Sequence, residues 1–307
     1  MLRFILGAIG TLFAAVALYA FFRGVADYYS HPPEELASEI YYREEPKELR
    51  LASDGPFGTF DNAQLQRGFQ VYSEVCSGCH SLNYVSFRDL KGLGYRDAEI
   101  KAIAANWKTP TLTINPDTGE PSTRKGLPSD RIPAPYANET AARAANNNAL
   151  PPDLSLMTKA REGGAAYVYS LLTGYQSQPA ELLKRFPDAK TPPNLHYNPY
   201  FANLNLAMPP PLKGGDVTFA DGTPNTLQNE ARDVAAFLVW TAEPRLAARH
   251  AAGLAVVIFL LFASILAYLA YRNIWAEAKR TVRVTGALDP KHQAKTRRAK
   301  SKSGVAG

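Results

Sequence analysis

The pentapeptide Cys76-Ser77-Gly78-Cys79-His80 constrains this chain more than any other stretch of its 307 residues. Cys-x-x-Cys-His is the pattern of c-type haem attachment, in which two thiols form thioethers and the imidazole binds the iron. A thioredoxin-like redox pair would be expected in a strand–helix–strand context, which the sequence does not offer. A structural zinc site would normally need four Cys or His ligands, and the chain has no third cysteine. The motif therefore predicts one covalently attached haem c.

The distribution of charge indicates a membrane protein. Residues 272–307 contain ten Lys or Arg and two acidic residues, a net charge of +8, whereas the whole chain carries +6. Residues 1–271 therefore carry −2. A basic tail on a mildly acidic body is a membrane-protein distribution, and it argues against nucleic acid as a partner.

An uncharged run at residues 251–271 is long enough to cross a lipid bilayer. A soluble core rarely needs so long an unbroken apolar run, so a buried core helix is the weaker interpretation. Tyr268, Tyr271 and Trp275 suit the membrane–water interface. We predict a transmembrane helix at residues 250–272.

A second uncharged run, residues 4–22, lies between Arg3 and Arg23. Its length is at the low end for a membrane-spanning helix, so a signal peptide and a retained anchor are both open. A small-x-small cleavage site at residues 15–17 would cut inside the apolar run. We therefore favour a retained anchor.

The two ends of the chain predict its orientation. The positive-inside rule places the basic tail in the cytoplasm, and the haem domain is then periplasmic, at a bacterial inner membrane. Covalent haem attachment, which occurs outside the cytoplasm, predicts the same side independently. The predicted domains are a signal or anchor helix (1–23), an acidic linker (24–60), a haem domain (61–245), a transmembrane helix (250–272) and a cytoplasmic tail (273–307).

Two stretches are predicted to lack regular structure. Residues 34–48 contain six glutamates against one arginine and one lysine, which is typical of a solvated, loosely ordered linker. The alternative is an acidic surface that attracts a basic partner. Residues 109–135 are polar and rich in Pro and Gly with weak periodicity, and we expect an irregular loop there.

Helical periodicity is clearest on either side of this loop. Leu65, Phe69 and Tyr72 recur on one helical face after Asp61, a candidate N-cap. This helix would deliver Cys76 into the haem pocket. Apolar residues at helical spacing predict a second long helix at residues 229–242.

The second axial ligand of the iron has three candidates away from the predicted membrane segments and tail. Met208 is favoured because the prolines at 209–211 stiffen an extended strand that suits holding a thioether in place. Met157 lies at helical spacing, where core packing is the more common role, and His196 is more typical of a loop histidine. Both remain alternatives. His/Met ligation raises the haem potential and suits electron transfer.

Several longer blocks resemble the cytochrome c1 family, the haem subunits of ubiquinol–cytochrome c reductase (the bc1 complex). They occur in the family's order and lie within about residues 55–280. The blocks are Arg67–Tyr72 running into the haem motif, Ala144–Asn147, Ala149–Ser155, Tyr167–Tyr175, Asn198–Phe201, Met208–Pro210 and Phe237–Pro244.

The resemblance implies a mainly α fold, with a class I cytochrome c-like haem domain and a C-terminal transmembrane helix. The N-terminal hydrophobic helix would be a second anchor if it is retained. It also implies an electron-transfer subunit of a respiratory or photosynthetic quinol–cytochrome c reductase, dimeric as a complex. Its partners would be cytochrome b, a Rieske iron–sulfur protein as electron donor, a basic cytochrome c as acceptor, and the lipid bilayer.

The resemblance also implies roles for individual residues. Cys76 and Cys79 match the thioether positions, and His80 and Met208 match the axial ligands. Asn146 and Arg161 match positions near the haem propionates, Tyr167 matches another haem-side position, and Pro151 or Pro152 would offer a carbonyl to the proximal histidine. The chain alone would transfer electrons without making or breaking bonds.

Two other classes of function compete with this interpretation. One is a free-standing anchored cytochrome that passes electrons to a terminal oxidase. The other is a haem-based ligand sensor or a thiol oxidoreductase. Association with cytochrome b and a Rieske protein would exclude the first class. A six-coordinate haem unresponsive to CO and cysteines resistant to alkylation would exclude the second.

Overall fold

Helices dominate the computed structural model, which describes residues 2–30, 37–281 and 294. This confirms the predicted mainly α fold, with an apolar helix near each end. Within those residues the helices are α1 (Leu2–Ser30), α2 (Ala37–Tyr42), α3 (Asn62–Glu74), α4 (Asp97–Ala105), α5 (Glu139–Ala145), α6 (Met157–Ala160), α7 (Gly164–Thr173), α8 (Ala180–Arg185), α9 (Leu227–Ala242) and α10 (Leu246–Thr281). Two antiparallel hairpins are formed by β1 (Thr111–Ile114) with β2 (Pro121–Arg124), and by β3 (His196–Tyr197) with β4 (Asn205–Leu206).

The chain divides into two compact units. The first takes in residues 1–52 and 60–244, and it contains the haem motif and the helices from α2 to α9. The second takes in residues 53–59 and 245–307, and it contains α10. The predicted basic tail lies outside the described residues except at 273–281 and 294, as do linker residues 31–36.

Helices α1 and α10 are apolar enough and long enough to cross a membrane. The qualifying segments are Leu6–Ser30 and Leu246–Ala276, and the most apolar stretch of each is not buried within the described structure. The interpretation of α10 as a buried core helix is therefore wrong. Helix α1 continues to Ser30, beyond the domain boundary predicted at residue 23.

Helix α3 begins where the sequence predicted. The Asp61 carboxylate accepts hydrogen bonds from the N–H groups of Ala63 (3.0 Å) and Gln64 (3.4 Å), which satisfies two of the unpaired donors of the first turn. The predicted apolar face, which contains Phe69 and Tyr72, is buried. Both rings contact Phe237 of α9, at centroid distances of 5.6 and 5.7 Å.

The contact between α3 and α9 is close because of a glycine. A Cβ atom on Gly68 would lie 2.0 Å from the backbone oxygen of Asp233, so only glycine permits this approach. Beside it, Arg67 Nε donates to Asp233 Oδ2 at 2.6 Å, and Gln64 Nε2 donates to Asp233 Oδ1 at 2.9 Å. Arg67 Nη1 also pairs with Asp221 at 2.7 Å. The nearly buried Asp233 carboxylate is thus partnered on both oxygens.

A second carboxyl group on α9 is fully buried. Glu230 Oε1 accepts hydrogen bonds from the N–H groups of Asp216 (3.0 Å) and Val217 (3.1 Å). Its other oxygen has no hydrogen-bond partner among the described residues. Burial raises the pKa of Glu230, and the neighbouring Asp216 carboxylate adds to the rise.

Two predictions of irregular structure require correction. Within residues 109–135, β1 pairs with β2 across a turn whose Gly119 has φ +71°. In the linker, Lys47 N donates to Ser170 Oγ on α7 at 2.7 Å, and Lys47 Nζ donates to Thr173 Oγ1 at 2.9 Å. Within the predicted stretch 34–48, residues 37–42 form α2 and Lys47 is bonded to α7, so its described part is not loosely ordered.

We expect Gly68→Ala to destabilise the protein severely, because a methyl group has no space beside Asp233. The loss in free energy of unfolding should reach or exceed the upper end of the ~1–3 kcal/mol typical of overpacked cores. Denaturant unfolding followed by circular dichroism measures it. The control is Gly253→Ala on α10, where a Cβ would meet no described atom within 4 Å. A Gly68→Ala protein as stable as the control would contradict the crossing described.

We expect Glu230→Gln to change how stability depends on pH. A raised pKa means that folded Glu230 retains a proton at pH values where the unfolded chain has released it. The wild-type free energy of unfolding should therefore decline as pH rises from about 4.3, the ordinary glutamate value, towards the folded-state pKa. Glu230→Gln should remove this decline, whereas exposed Glu181→Gln should retain it. Parallel pH profiles for wild type and Glu230→Gln would refute the assignment.

Candidate haem site

The haem motif forms a tight turn directly after α3. Cys76–Gly78 is one turn of 3-10 helix, and the N–H groups of Cys79 and His80 donate to the Cys76 carbonyl at 3.1 and 2.9 Å. Cys76 is half-buried and packs against the core, whereas Cys79 is exposed. Because α3 is held against α9, the position of both thiols is fixed relative to the core.

The Cys76 thiol is not activated for redox exchange. Burial raises its pKa to about 12, and the neighbouring Cys79 adds to the rise. Reactive cysteines of thiol oxidoreductases have lowered pKa values. This electrostatic environment argues against the oxidoreductase alternative and is compatible with cysteines that serve as attachment points.

The imidazole of His80 is oriented by a backbone carbonyl. His80 Nδ1 lies 2.8 Å from the oxygen of Pro152. A carbonyl only accepts hydrogen bonds, so Nδ1 carries the hydrogen and Nε2 retains its lone pair. Burial lowers the pKa of His80, which favours the neutral imidazole that binds metals. Of the two prolines considered from the sequence, Pro152 supplies the carbonyl and Pro151 does not.

Hydrogen bonds beyond His80 join the same two segments, 80–84 and 152–155, which we call the proximal clamp. They are Ser81 Oγ to Asp153 Oδ2 (2.8 Å), Asn83 N to Asp153 Oδ2 (2.8 Å), Leu154 N to Ser81 O (3.0 Å) and Tyr84 N to Ser155 Oγ (3.1 Å). Tyr72 on α3 adds a hydrogen bond from its hydroxyl to the His80 carbonyl at 3.0 Å. The backbone on both sides of the imidazole is therefore fixed.

Met208 lies after β4 and is half-buried against the same core as Cys76. The Tyr175 hydroxyl donates to the Met208 carbonyl at 3.0 Å. Burial raises the pKa of Tyr175 well above its usual range, and Tyr167 contributes to the rise. The phenol therefore remains a hydrogen-bond donor to the Met208 backbone.

Two other predicted residues belong to this group. Burial raises the pKa of Tyr167 on α7, while the charge of Arg161 and a hydrogen bond from it oppose the rise. Arg161 itself is exposed at the end of α6. The structure therefore brings Arg161 and Tyr167 together, close to Tyr175 and the Met208 backbone.

Asn146 belongs to a separate group beside Cys79. It hydrogen-bonds Tyr136, whose hydroxyl also points at Cys79 Sγ at 3.9 Å. Asn147 and Asn148 adopt positive φ values of 57° and 64°, a left-handed turn that asparagine tolerates better than most residues. Sequence reasoning missed Tyr136, because it follows the segment assigned to an irregular loop and no short motif marks it.

The alternative iron ligands, Met157 and His196, have different surroundings from Met208. Met157 is buried in the core with 9% of its surface exposed, the packing role expected from its helical spacing. His196 lies on β3 and contacts the Tyr175 ring, with centroids 6.4 Å apart. Met208 is the one methionine among these candidates whose backbone is linked to Tyr175 and, through it, to Tyr167.

The residues present fit haem c. The donor set contains two thiols within one turn, a neutral imidazole with a free Nε2, and a thioether sulfur. Tyr136 contacts Cys79 and Tyr175 contacts the Met208 backbone, while Arg161 interacts with Tyr167. Two thiols suit covalent attachment, an imidazole and a thioether suit iron, and polar side chains suit the haem carboxylates.

Comparisons with known proteins agree with this chemistry. A model of the cytochrome C1 family matches residues 51–278. Cytochrome c1 of Rhodospirillum rubrum is 44% identical over 239 residues, covering 73% of this chain and 85% of the relative. The mitochondrial heme protein cytochrome c1 1 of Arabidopsis thaliana is 42% identical over 258 residues, covering 83% and 80%. A longer protein of Bradyrhizobium diazoefficiens, cytochrome b/c1, is 41% identical over 240 residues, covering 73% of this chain and 34% of that protein.

The family match extends over most of the chain, from the end of the acidic linker through α10. It includes the haem motif, the proximal clamp and Met208, all of which lie between residues 51 and 278. This chain therefore belongs to the cytochrome c1 family, the haem electron-transfer subunits of the bc1 complex.

Proposed function

We propose that this chain accepts electrons from a Rieske iron–sulfur protein and passes them to a basic cytochrome c, within a quinol–cytochrome c oxidoreductase. The observation that carries the proposal is the hydrogen bond from His80 Nδ1 to Pro152 O. It leaves the Nε2 lone pair of a neutral imidazole available to bind a metal, while the adjoining backbone is fixed on both sides. A rigid ligand environment suits electron transfer because it changes little between the two redox states.

Four residues would hold the haem. Cys76 and Cys79 would form the thioethers, and His80 Nε2 and Met208 Sδ would bind the iron. When bound, haem c supplies a one-electron couple between ferric and ferrous iron. An iron bound by two protein ligands would suit electron transfer better than the binding of a small molecule, which separates this proposal from a haem-based sensor.

The remaining predicted residues would surround the haem. Arg161, held beside Tyr167, would pair with a propionate, since a carboxylate leaving water needs a charged or hydrogen-bonded partner. Asn146, which hydrogen-bonds Tyr136 beside Cys79, would contact the edge of the haem there. Pro151 precedes Pro152, whose carbonyl accepts the hydrogen bond from His80, and would contact the haem beside that histidine.

The membrane helices and relatives support the assembly. Helix α10 would anchor the haem domain on the periplasmic side, with the tail cytoplasmic. The domain boundaries would follow those predicted from the sequence, except that the N-terminal helix continues to Ser30. The Bradyrhizobium relative is named for both cytochrome b and cytochrome c1. We therefore infer cytochrome b as the membrane partner, in a dimeric complex.

The acidic linker stretch 34–48 would form part of the docking surface for the basic cytochrome c; its described part, residues 37–48, has four glutamates against one arginine and one lysine. Its backbone is attached to α7, which carries Tyr167, through the bond from Lys47 N to Ser170 Oγ. The side chains of Glu44, Glu45 and Glu48 are exposed. A fixed backbone with exposed carboxylates provides negative charge next to the helix that contributes to the haem site.

We expect Met208→Leu to change the haem without removing it. In the detergent-solubilised complex, ferric Met208→Leu should lose the long-wavelength band of methionine-ligated haem. Its potential should fall by roughly 0.1 V or more, since axial ligands set haem potentials over about 0.8 V. Reduction by quinol through the Rieske subunit should slow accordingly. Redox titration and stopped-flow spectroscopy measure these effects.

The matched control for this experiment is Met157→Leu, which alters a buried core methionine and should leave band and potential unchanged. An unchanged spectrum in Met208→Leu would move the ligand to Met157 or His196. A haem chain that purifies without cytochrome b and a Rieske subunit would instead support the free-standing cytochrome.

Neutralising the acidic segment should weaken electrostatic steering of cytochrome c. We expect the triple variant Glu44→Gln, Glu45→Gln and Glu48→Gln to lower the rate of cytochrome c reduction at low ionic strength by roughly 10-fold or more. Its rate should depend less on salt than that of the wild type. The control variant, Asp117→Asn, Glu120→Gln and Glu181→Gln, removes the same number of exposed charges elsewhere. Equal salt dependence in wild type and the Glu44/Glu45/Glu48 variant would exclude a docking role.

A further inference from the structure

The loop Ser53–Thr59 lies before α3 in the sequence, yet it belongs to the same compact unit as α10. His250 Nδ1 lies 2.9 Å from the carbonyl oxygen of Gly58. Because the carbonyl can only accept, the imidazole donates this hydrogen bond. His250 immediately precedes the uncharged run 251–271. The loop is therefore attached to α10 at the point where its apolar segment begins.

The loop is compact and has little freedom to rearrange. Gly58 N donates to the Gly55 carbonyl at 3.2 Å, and Gly55 has φ +77°, a conformation that favours glycine. A Cβ on Gly58 would lie 2.2 Å from the Ser53 carbonyl oxygen. Ser53 and Gly58 are buried, whereas Phe57 between the two glycines is 73% exposed. A rigid turn thus presents one aromatic ring outward.

We propose that this loop is a membrane-surface contact, with the Phe57 ring inserted at the headgroup level of the bilayer. The proposal rests on the membrane span of α10 put forward above. Aromatic rings are favoured where the hydrocarbon core meets the headgroups, and the bond to His250 holds Phe57 beside that level of α10. Transfer of so exposed a ring from water into the interface is favourable in proportion to the apolar area removed from water.

Lipid is the occupant of the loop surface that the start of α10 indicates. Every residue from Ala251 to Leu261 is exposed in the described structure, including Val256, Val257, Ile258 and Phe259 in succession. Successive residues of a helix point in different directions. The apolar surface therefore surrounds α10, and the loop meets an apolar environment on whichever side of the helix it lies.

The sequence allows a single-site test. The only cysteines are Cys76 and Cys79, both of which the haem would occupy, so an introduced cysteine is the one free thiol. A nitroxide on Phe57→Cys, in the full haem-loaded chain reconstituted into phosphatidylcholine and phosphatidylglycerol nanodiscs, reports its collisions with oxygen and with a water-soluble nickel chelate. Matched labels on Phe259→Cys, within α10, and on Asp117→Cys, on the exposed β1–β2 turn, supply the bilayer and water references. The haem absorption spectrum confirms that each variant is folded.

We expect the Phe57 label to collide preferentially with oxygen, giving an oxygen-to-nickel ratio several-fold above that of Asp117→Cys and below that of Phe259→Cys. Adding His250→Ala should release the loop, sharpen the label's spectrum and lower this ratio. A ratio equal to that of Asp117→Cys would overturn the proposal, and so would a label that neither reagent reaches, since that result means a protein contact. If the Phe259 label is itself in water, the membrane span of α10 fails, which is a separate outcome.

Discussion

The crossing of α3 and α9 at Gly68 is the contact on which the position of the haem site depends. Helix α3 ends at Glu74, just before Cys76. The positions of the two thiols and of His80 therefore depend on the position of α3. Because Gly68 has no side chain, the backbones of the two helices can come into contact. The Arg67–Asp233 ion pair fixes the rotation of one helix relative to the other. Aromatic rings on both helices then fill the space around the contact.

The segment that carries Met208 is held in place by interactions of a different kind from the helix packing of α3 and α9. Its three prolines have no N–H group to donate, so it cannot join a sheet along its length. It is instead fixed at its two ends. Tyr175 donates to the carbonyl of Met208 itself, and Glu230 accepts the N–H groups of Asp216 and Val217 beyond the prolines. The proline backbone between these two fixed ends is stiff, so the segment keeps its position without the hydrogen bonds of a sheet.

Local signals predicted α3, α9 and both apolar helices because each is encoded within its own residues. Asp61 and the spacing of Leu65, Phe69 and Tyr72 act over one or two turns. The features that sequence reasoning missed depend on partners far along the chain. Lys47 is ordered by α7, more than 100 residues away. Tyr136 is defined by Asn146 and Cys79, and Pro152 rather than Pro151 by the direction of the His80 ring. No local pattern contains that information.

The proximal clamp has a consequence for how the molecule matures. The thiols and the imidazole are contained in five consecutive residues, so the motif is complete as soon as this short segment has been synthesised. The carbonyl that orients the imidazole is 72 positions further along, and closing so long a loop requires the intervening chain to be made and folded. Under the proposed function, the cysteines could therefore react with a haem before His80 is oriented. The orientation of the imidazole would be completed only when residues 152–155 reach residues 80–84.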